Sequence, residues 1–151
     1  MNPSQTEPTH GPAPTRLLLV DIHAISMKSS RLLLDALPSL QVVGETSDYT
    51  EALHLATVLQ PDIVLISMRV KGATGPETAR QILKMNPAVR VIFLTLFEDP
   101  EYVTSALVAG AHGYVLKQEP AGEVLKAIDH VMQGKTYLSP GLKYNQASPS
   151  T

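Results

Sequence analysis

Asp21, Ser67, Thr95 and Lys117 each follow a short apolar run, namely Leu17–Val20, Ile63–Ile66, Val91–Leu94 and Gly113–Leu116. One carboxylate, two hydroxyls and one ammonium at a common place can hold an anion. With further carboxylates they would also hold a divalent cation and support phosphoryl transfer. Asp21, His23 and Ser67 are also the residue types of a hydrolytic triad. Ser67, however, lies between Ile66 and Met68 and lacks a Gly-x-Ser-x-Gly elbow. Without an activating base its hydroxyl is a weak nucleophile, so no catalytic residue is expected. The histidines (His10, His23, His54, His112 and His130) show no ligand spacing, and no metal site is expected. Glu98 and Asp99 could be read as metal ligands, but a helix cap explains Asp99 more simply.

These residues can act together only if the chain folds their runs side by side. A fifth apolar segment, Gln41–Gly44, carries Val42 and Val43. Continuous rather than alternating apolar runs imply strands covered on both faces, hence a parallel sheet between helices. The intervening segments show helical periodicity. In the first helix Ile25, Ser29, Leu32, Leu33 and Ala36 share a face, which leaves Met27 and Leu34 outside as a partner or self-association surface. Asp48 and Glu51 have capping-box spacing before the second helix. The third lies around Pro76–Met85. Asp99-Pro100 opens the fourth, whose inner face is Val103, Ala106, Leu107 and Gly110. The fifth buries Val124, Leu125, Ile128 and Val131 and stops at Gly134. The expected fold is a single α/β domain, a doubly wound five-stranded parallel sheet of flavodoxin-like order 2-1-3-4-5. In such sheets ligands bind at the carboxyl ends of the strands, where Asp21, Ser67, Thr95 and Lys117 converge.

Composition sets outer bounds. The 151 residues suffice for one domain with a substantial core. A formal charge of −2 gives no general attraction to nucleic acid or anionic membrane. The absence of cysteine excludes disulfides and thiol catalysis and suits a reducing cytoplasm. No apolar stretch approaches the roughly 20 residues of a membrane span. Residues 1–15, with Pro3, Pro8, Pro12 and Pro14, read as a disordered leader; residues 16–138 form the domain; and residues 139–151 read as a flexible tail or the start of a linker.

The segments LLLVDIH, PDIVLISMRVKGATG, VIFLTLFED and GAHGYVLKQ, in this order and spacing, resemble the receiver domain of bacterial response regulators of the NarL/LuxR type. The resemblance implies the CheY-like form of the fold and a role in two-component signalling. In that family two adjacent acids after the first strand help bind Mg²⁺, and an aspartate ending the third strand accepts phosphate from a histidine kinase. A Thr or Ser and a Lys ending the fourth and fifth strands contact the phosphoryl group. Carried over, Asp21, Thr95 and Lys117 match. Ile22 replaces the second acid, Ser67 replaces the phosphoacceptor, and Lys71 stands where the family usually has proline. Tyr114 matches the aromatic that reports the switch, on a face shared with Tyr102. A histidine at the place of His23 is common in the family.

The resemblance therefore implies an atypical receiver, a pseudo-receiver with a degenerate phosphoacceptor at Ser67 and a vestigial site of Asp21, Ile22, Thr95 and Lys117. Mg²⁺ binding should be lost, leaving no cofactor. The domain is expected to work without aspartyl phosphorylation, through protein partners or a homodimer, in transcription regulation in the cytoplasm and with no membrane role. A direct or bridged Lys117–Asp21 contact is expected, with Thr95 and Ser67 hydrogen-bonded nearby. Two alternatives stay open. The chain is the N-terminal regulatory part of a larger helix-turn-helix regulator, binding DNA only if an output domain follows Thr151. Or it is a sensor that holds a small ligand or anion in the vacated pocket.

Overall fold

The computed structural model describes residues 13–22 and 28–142. Element order is β1 (Thr15–Val20), α1 (Lys28–Asp35), β2 (Leu40–Thr46), α2 (Tyr49–Leu59), β3 (Ile63–Ile66), β4 (Arg69–Val70), β5 (Ala73–Thr74), α3 (Gly75–Met85), β6 (Arg90–Thr95), α4 (Pro100–Val108), β7 (Gly113–Leu116), α5 (Gly122–Met132) and β8 (Tyr137–Leu138). Six strands form one sheet in the order β2-β1-β3-β6-β7-β8. All of its pairings are parallel. The five expected strands take the expected 2-1-3-4-5 arrangement, and the two-residue β8 extends the edge beyond β7.

β3 and β7 are buried along their whole length, and β1 and β6 beyond their first one or two residues, yet the side chains alternate between two cores. Leu18, Val20, Val64, Ile66, Phe93 and Tyr114 face one core, where Ala52, Ala56, Ala79, Ile82, Val103 and Ala106 bring in α2, α3 and α4. Leu17, Leu19, Ile63, Leu65, Ile92 and Val115 face the other, covered by Leu34 of α1 and by Val124, Ala127, Ile128 and Val131 of α5. Covering both faces explains why the strands read as unbroken apolar runs. Each fully buried Leu or Ile contributes about 1.5–3 kcal/mol.

The phase of α1 differs from the sequence expectation. Leu34 is 1% exposed and packs in the core, whereas Leu32 is 66% exposed. Leu34 is therefore no part of a partner surface, and Met27 and Ile25 lie outside the described residues. The helix ends at Asp35, so Ala36, which anchored the expected stripe, lies past it. A short helix leaves few positions from which to fix a 3.6-residue phase, and packing against α5 decides it. In α4, Val103 and Ala106 are buried as expected; Gly110 lies beyond the helix, exposed, and turns the chain with φ +109°.

Local chemistry sets the helix starts. Asp48 accepts from the Glu51 amide at 2.9 Å. The Glu51 carboxylate does not return to the Asp48 amide; it takes the Thr46 hydroxyl, whose oxygen in turn accepts from Asp48 N at 3.1 Å. Thr74 caps α3 through the Glu77 amide. Asp99 precedes Pro100 as the N-cap of α4, but its side chain makes no capping bond.

Two predictions follow from packing. A Cβ on Gly75 would lie 2.1 Å from the Ser67 carbonyl oxygen. Helix propensity alone would favour alanine by up to about 1 kcal/mol, so the sign of the effect reports the contact. Gly75→Ala should destabilise by about 1–3 kcal/mol in urea denaturation. His112 is the second case. Its Nδ1 accepts from Val91 N at 3.0 Å. Burial first, and then the nearby Arg90, lower its pKa below 6.5. The unfolded state therefore binds the extra proton. The stabilisation is complete above pH 6.5 and is lost as pH falls below it toward the depressed folded value. Denaturation midpoints measured on either side of that pH should show this loss, and His112→Asn should flatten it.

Candidate functional site

The sheet ladder continues one residue past the strand ends and places the four chemical residues together. Asp21 N donates to Thr46 O, Ser67 N to Val20 O, and Lys117 N to Thr95 O, at 3.0, 2.9 and 2.8 Å. A cleft of about 240 Å³ opens there, lined by Asp21, Ile22, Ser67, Arg69, Thr95, Leu96, Phe97 and Lys117. Asp21, Ser67 and Thr95 are buried.

Lys117 Nζ donates to Asp21 Oδ2 at 2.7 Å, the direct contact expected from sequence. The two side chains are 11% and 3% exposed, so the pair is largely removed from water. Ser67 is hydrogen-bonded beside this pair, to backbone. Its Oγ donates to Arg69 O and accepts from Arg69 N, both at 3.1 Å. It thus closes a local turn and shapes the loop, where Arg69 O also accepts from Ile22 N at 3.2 Å. A carboxylate at this position would lack the donor. Thr95 Oγ1 accepts from Phe97 N at 3.2 Å.

The turn beyond Ser67 explains Lys71. Of the two central residues of the β4–β5 hairpin, only Gly72 has positive φ, +92°. That is the pattern of a type II turn, whose preceding position favours proline. Here the Lys71 amide donates to Ser47 O at 2.8 Å, a bond proline could not make.

Tyr114 is 0% exposed and its hydroxyl donates to Phe97 O at 2.7 Å. It therefore contributes no side-chain surface to an interaction face. Burial raises its pKa above the ordinary value of 10, and the Thr95 hydroxyl offsets part of the rise. Tyr102 is half-buried and stacks on Phe97, with ring centroids 4.5 Å apart. Among the described residues no cluster of three or more His, Cys, Asp or Glu could hold a metal ion. Glu98 accepts from Gln118 Nε2 at 2.8 Å. His23 lies outside the described residues.

Sequence reasoning missed Arg69, Leu96 and Phe97 as cleft residues. The available signal was position alone, since each stands one or two residues past a strand-end hydroxyl. It also missed Ser139, assigned to a tail. Ser139 is buried, donates its amide to Tyr114 O at 2.9 Å and accepts from Leu116 N through Oγ at 3.0 Å. Nearby, Tyr137 donates to Glu123, which lowers the Glu123 pKa, while burial pushes the Tyr137 phenol up to about 12.

The ion pair yields a prediction. Lys117→Ala leaves a buried carboxylate without its lysine and should cost about 3–5 kcal/mol in chemical denaturation. Lys117→Met combined with Asp21→Asn should recover most of that loss.

A family model for the response regulator receiver domain matches residues 17–129. Response regulator GacA of Pseudomonas viridiflava is 34% identical over 135 residues, covering 89% of this chain and 63% of the relative. Transcriptional regulatory protein LiaR of Bacillus subtilis is 35% identical over 123 residues, covering 82% and 58%. The chain thus spans about three-fifths of the length of these curated relatives. A crystal structure of a LuxR-family two-component response regulator from Aurantimonas superposes with a TM-score of 0.79 at 33% identity, covering 84% of this chain and 91% of that one. The signal receiver domain of the response regulator NarL from Mycobacterium tuberculosis gives a TM-score of 0.76 at 29% identity, covering 82% and 100%. Such domains are signalling and regulatory proteins, not enzymes. No helix among the described residues is long and apolar enough to cross a membrane. The strand-end cleft and the match across residues 17–129 agree, and the chain belongs to the response regulator receiver domain family.

Proposed function

We propose that this receiver domain works without aspartyl phosphorylation, through protein–protein contacts that serve bacterial signal transduction and transcription regulation in the cytoplasm. The carrying observation is the state of Ser67. Its hydroxyl is tied to both the amide and the carbonyl of Arg69. Both bonds go to backbone rather than to a base, and a serine ester would lack the lability of an acyl phosphate.

The donor set speaks against Mg²⁺. That ion demands near-octahedral oxygen coordination and is usually anchored by carboxylates. Here Ile22 contributes a hydrocarbon side chain, and Asp21 is ion-paired with Lys117. The lysine supplies in place the positive charge that a metal would bring. The cleft residues do not fit the ion, and no step is assigned to it.

The relatives' lengths support a second, compatible statement. GacA and LiaR extend well beyond the matched region, and LiaR bears the name of a transcriptional regulatory protein. We assign this domain the regulatory part of such a regulator, with any DNA contact made by another segment. A homodimer is the simplest partner arrangement for a regulator of paired DNA half-sites.

Incubating the wild-type chain with acetyl phosphate and Mg²⁺ should give no mass gain of one phosphate. Ile22→Asp with Ser67→Asp restores both missing carboxylates and should gain it. A stoichiometric, Mg²⁺-dependent adduct on the wild type would overturn the proposal.

A further inference from the structure

We propose that the strand-end cleft binds a small amphipathic monocarboxylate, an aryl- or alkyl-substituted acid, through the Arg69 guanidinium and an apolar wall of Ile22, Leu96 and Phe97. This deepens the preceding reading and rests on it, because it requires that no phosphoryl group fill the cleft.

The charge balance comes first. Lys117 and Asp21 neutralise one another at 2.7 Å. Arg69 joins none of the ion pairs among the described residues. It lines the cleft beside Lys117, so the cleft carries one cation in excess. Glu98 keeps its charge but does not line the cleft; its carboxylate accepts from Gln118. A planar guanidinium matches the two oxygens of a carboxylate with two parallel hydrogen bonds.

Arg69 is also pre-positioned. Ser67 fixes its backbone from both sides, and its guanidinium carbon lies 5.8 Å from the centroid of the Phe97 ring. Phe97 is held in turn by Tyr102. Arg69 and Phe97 also line a neighbouring cleft of about 300 Å³, so the charge stands on a ridge between two cavities. Fixing a long side chain before binding removes part of the entropic cost of binding.

The walls then select the rest of the ligand. Ile22 and Phe97 face the cleft, and Leu96 stands at it 59% exposed, its carbonyl held by Gln118. Apolar groups of this kind reward a ring or alkyl chain, which a phosphate lacks. A volume of about 240 Å³ suits a molecule the size of phenylacetate rather than a drug-sized one.

Phenylacetate and octanoate titrated into the full chain, followed by amide chemical shifts, should show saturable binding centred on Ile22, Arg69 and Phe97. Neutral phenylacetamide and inorganic phosphate should each bind at least tenfold more weakly than phenylacetate. Arg69→Gln, a change at an exposed side chain, should weaken phenylacetate at least tenfold, and Leu96→Gln at least threefold. Lys135→Gln, at an exposed lysine outside the cleft, should change nothing. The inference is overturned by absence of saturable binding of both acids, by equal affinity for the amide or for phosphate, or by an unaffected Arg69→Gln variant. The acetyl phosphate experiment, run in parallel, keeps the two readings apart. No adduct and no acid binding overturns this inference alone; an adduct on the wild type overturns the proposed function and the premise used here.

Discussion

Lys117 and Asp21 stand 96 residues apart in sequence, on strands separated by two others in the sheet. Their side chains meet at 2.7 Å across the carboxyl ends of β3 and β6. A buried carboxylate is costly unless paired, and so is a buried ammonium. Each therefore needs the other in place, and that need holds β1 and β7 in register at the end of the sheet where the loops converge. Ser67, Thr95 and Arg69 take their positions within this frame.

Ser67 brings a hydroxyl, not a carboxylate, to the end of β3. A carboxylate is an acceptor only, whereas a hydroxyl both donates and accepts. Ser67 uses both capacities on one residue, Arg69. Lys71 keeps an amide that proline would remove and spends it on Ser47. The loop after β3 is thus held by hydrogen bonds of Ser67 and Lys71 to backbone.

How much of this was legible in the sequence depends on the range of the interaction. The strands β1, β3, β6 and β7 and the four strand-end residues could be read because unbroken apolar runs report burial on both faces, whereas β2 is largely part-exposed and offered only Val42 and Val43. The Lys117–Asp21 contact followed from charge and topology. The phase of α1 could not be read, because Leu32, Leu33 and Leu34 are equally apolar and only contact with α5 selects Leu34. The double role of Ser67 was hidden because its partner is backbone, which carries no sequence signal. Arg69 and Phe97 were passed over for a related reason: a loop side chain acquires its neighbours from the fold. Tyr114 was recognised by position, but its complete burial depends on packing from α4 that no local pattern records.

The short strand after α5 ties distant parts of the molecule together. Ser139 satisfies the amide of Leu116 and the carbonyl of Tyr114, at the end of β7 that leads directly into Lys117. Pulling the chain away from this edge would strand a buried donor, at a cost of about 1–3 kcal/mol. Ser139 and the lysine at the cleft are thus fastened to the same four-residue strand. A load applied at Ser139 would be borne first by β7, the strand that ends beside the cleft.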